Sequence, residues 1–313
     1  MGDAELFPPD LPVFTELGRR EPRARAWLDG LPALVAAYRD AWSLRLKRPY
    51  RGGSCSWVAP VETADGAPAV LKLTWPHPEA AGEAEGLRIW DGHFAVRALR
   101  AEPADFALLV ERCTPGGALA RADHLPAGTR LGLGAAVLRG LWGVAVPTGH
   151  GLPLLGAVTS GWARLVEERM ARLSPGYDPG LVARGAALLR ELPASATRSA
   201  VVHGDFNPGN VLAAERLPWL AIDAKPMVGD PGYDVYPLLE QIDDPYALPS
   251  PDRVLAERLA LLADVLDEDA RRLAAWGTAR RVETALWLAD RGDRGGGAEA
   301  MRQARLLAGA AGV

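Results

Sequence analysis

The segment His203-Gly204-Asp205-Phe206-Asn207-Pro208-Gly209-Asn210 gathers proton-accepting and metal-competent side chains within eight residues. Thirteen residues after Asn210, Asp223 closes an apolar run, Trp219–Asp223. Carboxylate and amide oxygens suit a hard cation such as magnesium, and a free carboxylate can take a proton from a hydroxyl. Phosphoryl transfer needs both, an oxygen ligand set for the metal and a base for the acceptor hydroxyl. On this reading Asp205 is the base, and Asn210 and Asp223 hold the metal. Taken singly, Asp and Asn beside Pro and Gly cap turns, so only their mutual spacing separates the functional reading from the ordinary one.

That spacing is informative. An Asp on a loop, an Asn five residues later and a second Asp after a hairpin reproduce a kinase catalytic loop with its metal-binding aspartate. The chain holds 32 Arg but only three Lys, Lys47, Lys72 and Lys225, which makes each lysine worth inspecting. Lys72 lies in Ala-Val-Leu-Lys-Leu, in the middle of an expected strand where an unpaired ammonium is costly to bury. It needs an anionic partner, and such a lysine in a kinase is aimed at the α and β phosphates by a helical Glu. Glu83 is the preferred partner over Glu79 and Glu85, because it stands one turn before Leu87 on the apolar side of the next helix. Gly52, Gly53 and Ser54 precede the first strand, where small residues let backbone N–H groups approach phosphates. The run Leu108–Cys113 ends at Pro-Gly-Gly, placing Glu111 and Cys113 where an adenine ring would meet hinge backbone.

The elements that must position these groups follow from periodicity. A helix is expected over 31–46, strands over Ser56–Glu62 and Ala69–Thr74 around a turn at 64–68, and a helix over Glu79–Asp91. Apolar runs at Ala95–Leu99 and Phe106–Arg112 add two short strands. After residue 113 the pattern becomes helical at 129–144, 156–173 and 179–192. Short strands at Val211–Ala214 and Trp219–Asp223 then interrupt it, and helices return at 252–265, 267–276 and 278–290. Gly292–Gly297 reads as a loop before a last helix. The fold class is α+β in two lobes: a small antiparallel sheet with a helix over 1–112, and a larger, mostly helical lobe over 113–313.

Composition narrows the class of partner. With 313 residues, a net charge of −4, 49% hydrophobic and 24% charged residues, the chain resembles an ordinary globular protein. It lacks the basic excess of a nucleic-acid binder and any run long enough to span a membrane. Two cysteines at unrelated spacing and five histidines without clustering give no zinc or disulfide framework. The acidic, Pro-rich start is unlike a secretory signal, so a cytoplasmic protein acting on a small molecule is expected, with no protein partner implied.

Leu-Leu-Val-Glu-Arg, VVHGDFNPGNVL, AIDAKPMVGDPGYDVYPLL and AWGTARRVETALW resemble the aminoglycoside and hydroxyurea resistance kinases, the group typified by streptomycin 6-kinase, over nearly the whole chain. The resemblance implies a protein-kinase-like fold, ATP and Mg2+, and transfer of the γ-phosphate to a hydroxyl of a sugar-like acceptor, an aminoglycoside first and an amino sugar such as glucosamine or a hexose second. A nucleotide-binding pseudokinase is the reading from another class. The resemblance also implies that Asp230, with His203, supports the catalytic loop. Asp223-Ala224-Lys225 stands where Asp-Phe-Gly would, so no Phe-based activation switch is expected. For a cationic acceptor, Glu240, Asp243, Asp244 and Glu283 are available acids, and Trp276, Arg280, Glu283 and Trp287 share a helical spacing that could present an aromatic and charged wall.

Overall fold

Side chains alternate across a strand, and this decides what the N-terminal sheet presents to the cleft. In the computed structural model, which describes residues 2–313, β1 (Arg45–Leu46), β2 (Ser56–Glu62), β3 (Pro68–Thr74), β4 (Ala98–Glu102) and β5 (Ala107–Glu111) form one antiparallel sheet in the order β1-β2-β3-β5-β4. Ala69, Leu71 and Leu73 bury on its back with Trp57, Ala59, Val61, Ala107 and Leu109. Val70, Lys72 and Thr74 take the opposite face, beside Ser56, Val58 and Val110. Lys72 thus sits mid-sheet, opposite Val58 on one side and Leu108 on the other.

The back of the sheet is covered by α3 (Arg25–Ala41) and by a preceding segment that contributes Leu6 of α1 (Asp3–Leu6), Leu11, and Val13 and Leu17 of a π-helical turn (Val13–Leu17), which runs on into the short α2 (Gly18–Arg20). Helix α3 buries Leu31, Val35 and Tyr38 as one stripe. It starts before the expected residue 31 because Ala24, Trp27 and Leu28 extend that stripe upstream, which places Pro32 inside the helix. At its other end the chain turns through Ser43 in the left-handed region, and Leu46 joins β1 instead. Helix α4 (Glu83–Trp90) is shorter than expected: Pro78–Ala80 form a separate 3-10 turn, so Glu79 and Glu83 fall on different elements.

The C-terminal half contains α5 (Ala127–Trp142), α6 (Leu155–Leu173) and α7 (Pro179–Ala194), then two short antiparallel pairs. Strand β6 (Ala200–Val202) pairs with β9 (Met227–Gly229), and β7 (Val211–Ala213) with β8 (Trp219–Ala221). Helices α8 (Val235–Gln241), α9 (Pro251–Leu266), α10 (Ala270–Asp290) and α11 (Arg294–Ala311) complete the chain. The expected break at Gly277 is absent. A Cβ there would lie 3.0 Å from both Tyr236 and Leu307, so the glycine is a packing contact inside one long helix. Gly295–Gly297 likewise form the first turn of α11 behind the Asp293 cap, where a loop was expected. The larger core runs through these helices and takes in Leu87 and Trp90 of α4 with Leu108 and Val110 of β5, joining the two halves. Among the described residues no helix is long and apolar enough to cross a membrane.

Candidate active site

A cleft of about 600 Å³ separates the sheet from the helical half, within the ~300–1,000 Å³ usual for small-molecule sites. Topology collects its polar residues. His203–Asp205 follow β6, Asn210 leads into β7, Asp223 follows β8, and Lys225 precedes β9. The two strand pairs thus bring the β6–β7 loop and the β8–β9 connection to one edge, and Asp205, Asn210, Asp223 and Lys225 all line the cleft with Lys72 and Glu83.

Lys72 Nζ donates to both oxygens of Glu83, at 2.6 and 2.7 Å, and to Asp223 Oδ1 at 2.5 Å. Glu85 is engaged elsewhere, accepting the Gly151 N–H at 2.8 Å. Burial pulls the Lys72 ammonium down, but the charges of Glu83 and Asp223 outweigh it and hold the lysine above its ordinary value. Lys72 in turn keeps the Asp223 carboxyl below the usual range, burial opposing. Asp223 adopts a left-handed φ of 59°, a conformation uncommon for a residue with a side chain. The backbone spends strain to turn this carboxylate into the cleft.

The loop after β6 is held from beneath. Asp234 accepts the backbone N–H of His203 at 2.7 Å and of Gly204 at 2.8 Å, and the Trp142 indole N–H at 3.1 Å. This corrects the expected role of Asp230. That residue caps the following turn through the Gly232 N–H, and it takes Arg272 at 2.6 Å and the Trp276 indole at 2.7 Å, with no bond to the loop. Buried His203 is pushed toward the neutral form by desolvation. Its Nε2–H donates to the Ile222 carbonyl at 3.0 Å, leaving Nδ1 to accept the Asp205 N–H at 3.3 Å, so the imidazole joins the loop to the strand before Asp223. Gly204 has φ +85°, and a Cβ there would stand 2.0 Å from the Lys225 carbonyl oxygen, which only glycine avoids.

Asp205 keeps one carboxylate oxygen 3.3 Å from Lys225 Nζ, and the other accepts from Asn207 Nδ2 at 3.3 Å. Asn210 donates its amide N–H to the Asp205 carbonyl at 3.0 Å. Its amide oxygen has no hydrogen-bond partner among the described residues. That oxygen and the Asp223 carboxylate form a donor set of two, and no cluster of three or more His, Cys, Asp or Glu suited to a metal occurs among the described residues. Two protein oxygens fit magnesium, which keeps several waters and fills its shell with substrate phosphate oxygens.

Gly52, Gly53 and Ser54 line the same cleft, Gly53 at φ +90°. At the far end of β5, the Glu111 carboxylate is taken by Arg216 at 2.8 Å through two nitrogens, and Arg216 also donates to the Gly92 and Ala95 carbonyls. The Glu111 side chain therefore pins the sheet to the β7–β8 connection and leaves only its backbone for a ligand. Burial pushes the Cys113 thiol up to about 11, so it is an inert lining group.

None of the seven acceptor candidates lines the cleft itself, and Asp244 instead accepts the Tyr246 N–H at 3.0 Å. Trp276 is fully buried beneath Tyr233 with its N–H on Asp230, and is core in place of the expected wall. Glu240 is paired with Arg281 and Tyr236, Asp243 with Arg130 at 2.5 Å, and exposed Trp287 lies under Arg291. Two remain. Arg280 stacks over Tyr233 and Trp162 and interacts electrostatically with Asp205, while Glu283 pairs with Arg169 at 3.3 Å and interacts with Glu79. Sequence reasoning assigned no role to Asp234 or Lys225 and weighed Glu79 only as a partner for Lys72. Only the presence of a second Asp in Gly-Asp-Pro-Gly-Tyr-Asp and the scarcity of lysine hinted at any of them.

Comparison with known proteins identifies the family. The chain is 38% identical over 264 residues to a streptomycin 6-kinase of Streptomyces glaucescens, covering 84% of each. It is 37% identical over 271 residues to a hydroxyurea phosphotransferase of Kitasatospora aureofaciens, covering 86% of this chain and 76% of that one. The fold matches the choline kinase LicA of Streptococcus pneumoniae with a TM-score of 0.62 at 13% identity, over 89% of this chain and 99% of that one. It also matches an aminoglycoside phosphotransferase of Streptomyces rimosus, solved with ADP and streptomycin, with a TM-score of 0.53 at 20% identity over 82% and 98%. Since the profile of the aminoglycoside/hydroxyurea antibiotic resistance kinases matches residues 41–292, the chain belongs to that family and is a small-molecule phosphotransferase with a hydroxyl acceptor.

Proposed function

We propose that the protein transfers the γ-phosphate of ATP, as its magnesium complex, to a hydroxyl of a streptomycin-like aminoglycoside. The observation that carries this reading is the meeting of Lys72, Asp205, Asn210 and Asp223 in one cleft, in a chain with a streptomycin 6-kinase relative at 38% identity. The nucleotide lies between two lobes divided near Arg112 and Cys113. Its adenine lies against the backbone at Glu111–Cys113, and its phosphates lie beneath Gly52–Ser54. Lys72, aimed by Glu83, contacts the α and β phosphates. Asn210 and Asp223 hold the magnesium ion, which neutralises phosphate charge when bound. Asp205 orients the acceptor hydroxyl and takes its proton as the oxygen–phosphorus bond forms. His203 and Asp234 position the loop that carries it.

Glu283 and Glu79, which interact with one another near Asp205, are the carboxylates that would meet an ammonium or guanidinium group of the acceptor, in exchange for their present partners Arg169 and Lys225. The hydroxyurea phosphotransferase relative supports a second reading, in which a small hydroxylamine-type hydroxyl is the acceptor. The test is acceptor-dependent ADP release from MgATP, measured over streptomycin, other aminoglycosides, glucosamine, neutral hexoses and hydroxyurea. Streptomycin is expected to give the highest kcat/KM. A neutral hexose that outranks every aminated compound defeats the proposal, and nucleotide binding without any acceptor-dependent release would mark a pseudokinase.

A further inference from the structure

Lys225 is one of only three lysines in the chain, and none of the roles above uses it. Its backbone is fixed to the catalytic loop. The Lys225 N–H donates to the His203 carbonyl at 2.8 Å, and the missing side chain of Gly204 allows the Lys225 carbonyl to close on that loop. The side chain therefore starts from a set position beside Asp205. Its ammonium lies 3.3 Å from Asp205 Oδ2 and 3.5 Å from Glu79 Oε2, a carboxylate on the sheet side of the cleft.

The cleft is lined by three permanent cations, Lys72, Arg112 and Lys225. Lys72 is committed to Glu83 and Asp223 through short contacts, the one to Glu83 buried, and Arg112 follows β5 beside Cys113. Lys225 is left as the cation at the Asp205 end. Its two contacts are longer and its side chain is 38% exposed, so they are weak and readily exchanged. In the transfer step the bond from the γ-phosphorus to the bridging oxygen breaks, and a bond from the acceptor oxygen forms. The hydroxyl proton passes to Asp205, and ADP leaves with the bridging oxygen. Charge spreads over the three equatorial oxygens of the group in flight, where a lysine does most for the rate.

We propose that Lys225 is a further catalytic residue, whose ammonium leaves Glu79 and touches the oxygens of the transferring phosphoryl group. This rests on the kinase reading above, and the experiment separates the two. Calorimetry on the full-length protein and on Lys225→Met and Lys225→Arg measures affinity for MgADP and for the magnesium complex of the ATP analogue with a β–γ imido bridge. Turnover is measured with MgATP and streptomycin. Lys225→Met should bind the analogue about 5- to 20-fold more weakly while its MgADP affinity stays within about twofold, which also shows that the variant is folded. Its kcat should fall by about 10²–10³, and Lys225→Arg should recover at least about tenfold of that loss. Equal weakening of both nucleotides, or analogue binding and kcat both within about twofold of wild type, overturns the proposal. Failure of the wild type to phosphorylate streptomycin would count against the acceptor assignment alone, because the comparison of the two nucleotides needs no acceptor.

Discussion

Replacing Asp234 by Asn should cost both stability and turnover, by amounts that its three hydrogen bonds set. Asp234 Oδ2 accepts the His203 N–H and the Trp142 indole N–H, while Oδ1 accepts the Gly204 N–H. An Asn that keeps its oxygen at the Oδ2 position retains two of these bonds, as neutral ones. Its amide NH2 then faces the Gly204 N–H, donor against donor. Loss of one charge-assisted bond is worth about 1.5–3 kcal/mol, and the other two weaken. Against this, the buried carboxylate is itself raised by desolvation, a penalty that the amide removes. The net expectation is about 2 kcal/mol, or a Tm lower by about 4 °C for a chain of this size. Freed at Gly204, the loop no longer fixes Asp205, and a displacement near 1 Å costs about 10²-fold in kcat. The KM for ATP should stay within about threefold, since Lys72, Glu83 and Asp223 are untouched. Thermal melts and ADP-release kinetics read both quantities, with Asp230→Asn as the comparison. That variant loses contacts to Arg272 and Trp276, so it should lower Tm and leave kcat within about threefold. Should Asp230→Asn lose turnover while Asp234→Asn keeps it, the assignment of loop support is wrong.

Three further outcomes are expected. Asp205→Asn should lower kcat by about 10²–10⁴ with nucleotide affinity nearly unchanged, and near-normal turnover would remove Asp205 as the base. Asp223→Ala should abolish magnesium-dependent nucleotide binding more severely than Asn210→Ala, because a carboxylate carries full charge; calorimetry with and without magnesium decides this, and equally strong binding by both places the ligands elsewhere. Asp223 is more acidic in the fold than in the unfolded chain, chiefly because Lys72 stabilises its anion. Its contribution to stability is therefore full above an ordinary Asp pKa of about 3.9, and it is lost as pH falls through the lower folded value. The Tm of wild type and Asp223→Asn should differ at pH 7 and converge in strong acid, and a gap that widens in acid would contradict the ion pair.

The chemistry-bearing residues were legible because their relations are local. Asp205, Asn210 and Asp223 sit on one loop and one hairpin, so sequence spacing nearly fixes their distances, and the type of each side chain states what it can ligate or accept. Lys72 was legible for a related reason. Strand alternation makes an ammonium among apolar neighbours an energetic problem, and the next helix supplies the carboxylate that resolves it. Five of the six short apolar segments were also readable as strands; the one expected at Ala95–Leu99 is instead the exposed strand Ala98–Glu102, and Ala200–Val202 and Met227–Gly229 were too brief to stand out from their surroundings.

What the sequence left open depends on which surfaces meet. Asp230 and Asp234 stand four residues apart in one motif; Asp230, followed by Pro-Gly, carries the local signature of a cap and serves as one. Only docking of the turn beneath β6 gives Asp234 its contact with His203, 31 residues away. Glu111 meets Arg216 across 105 residues, a pairing that no periodicity encodes. The stripe of Trp276, Arg280, Glu283 and Trp287 was correctly one face of a helix in spacing, but spacing cannot say whether a neighbour covers it. Tyr233 and Asp230 cover Trp276, Arg291 covers Trp287, and Arg280 and Glu283 feel the charges of Asp205 and Glu79 without touching them. The sequence determined which side chains could do chemistry and over what local distances; the tertiary structure decided which of them share a cleft, because burial and long-range pairing are properties of packed surfaces.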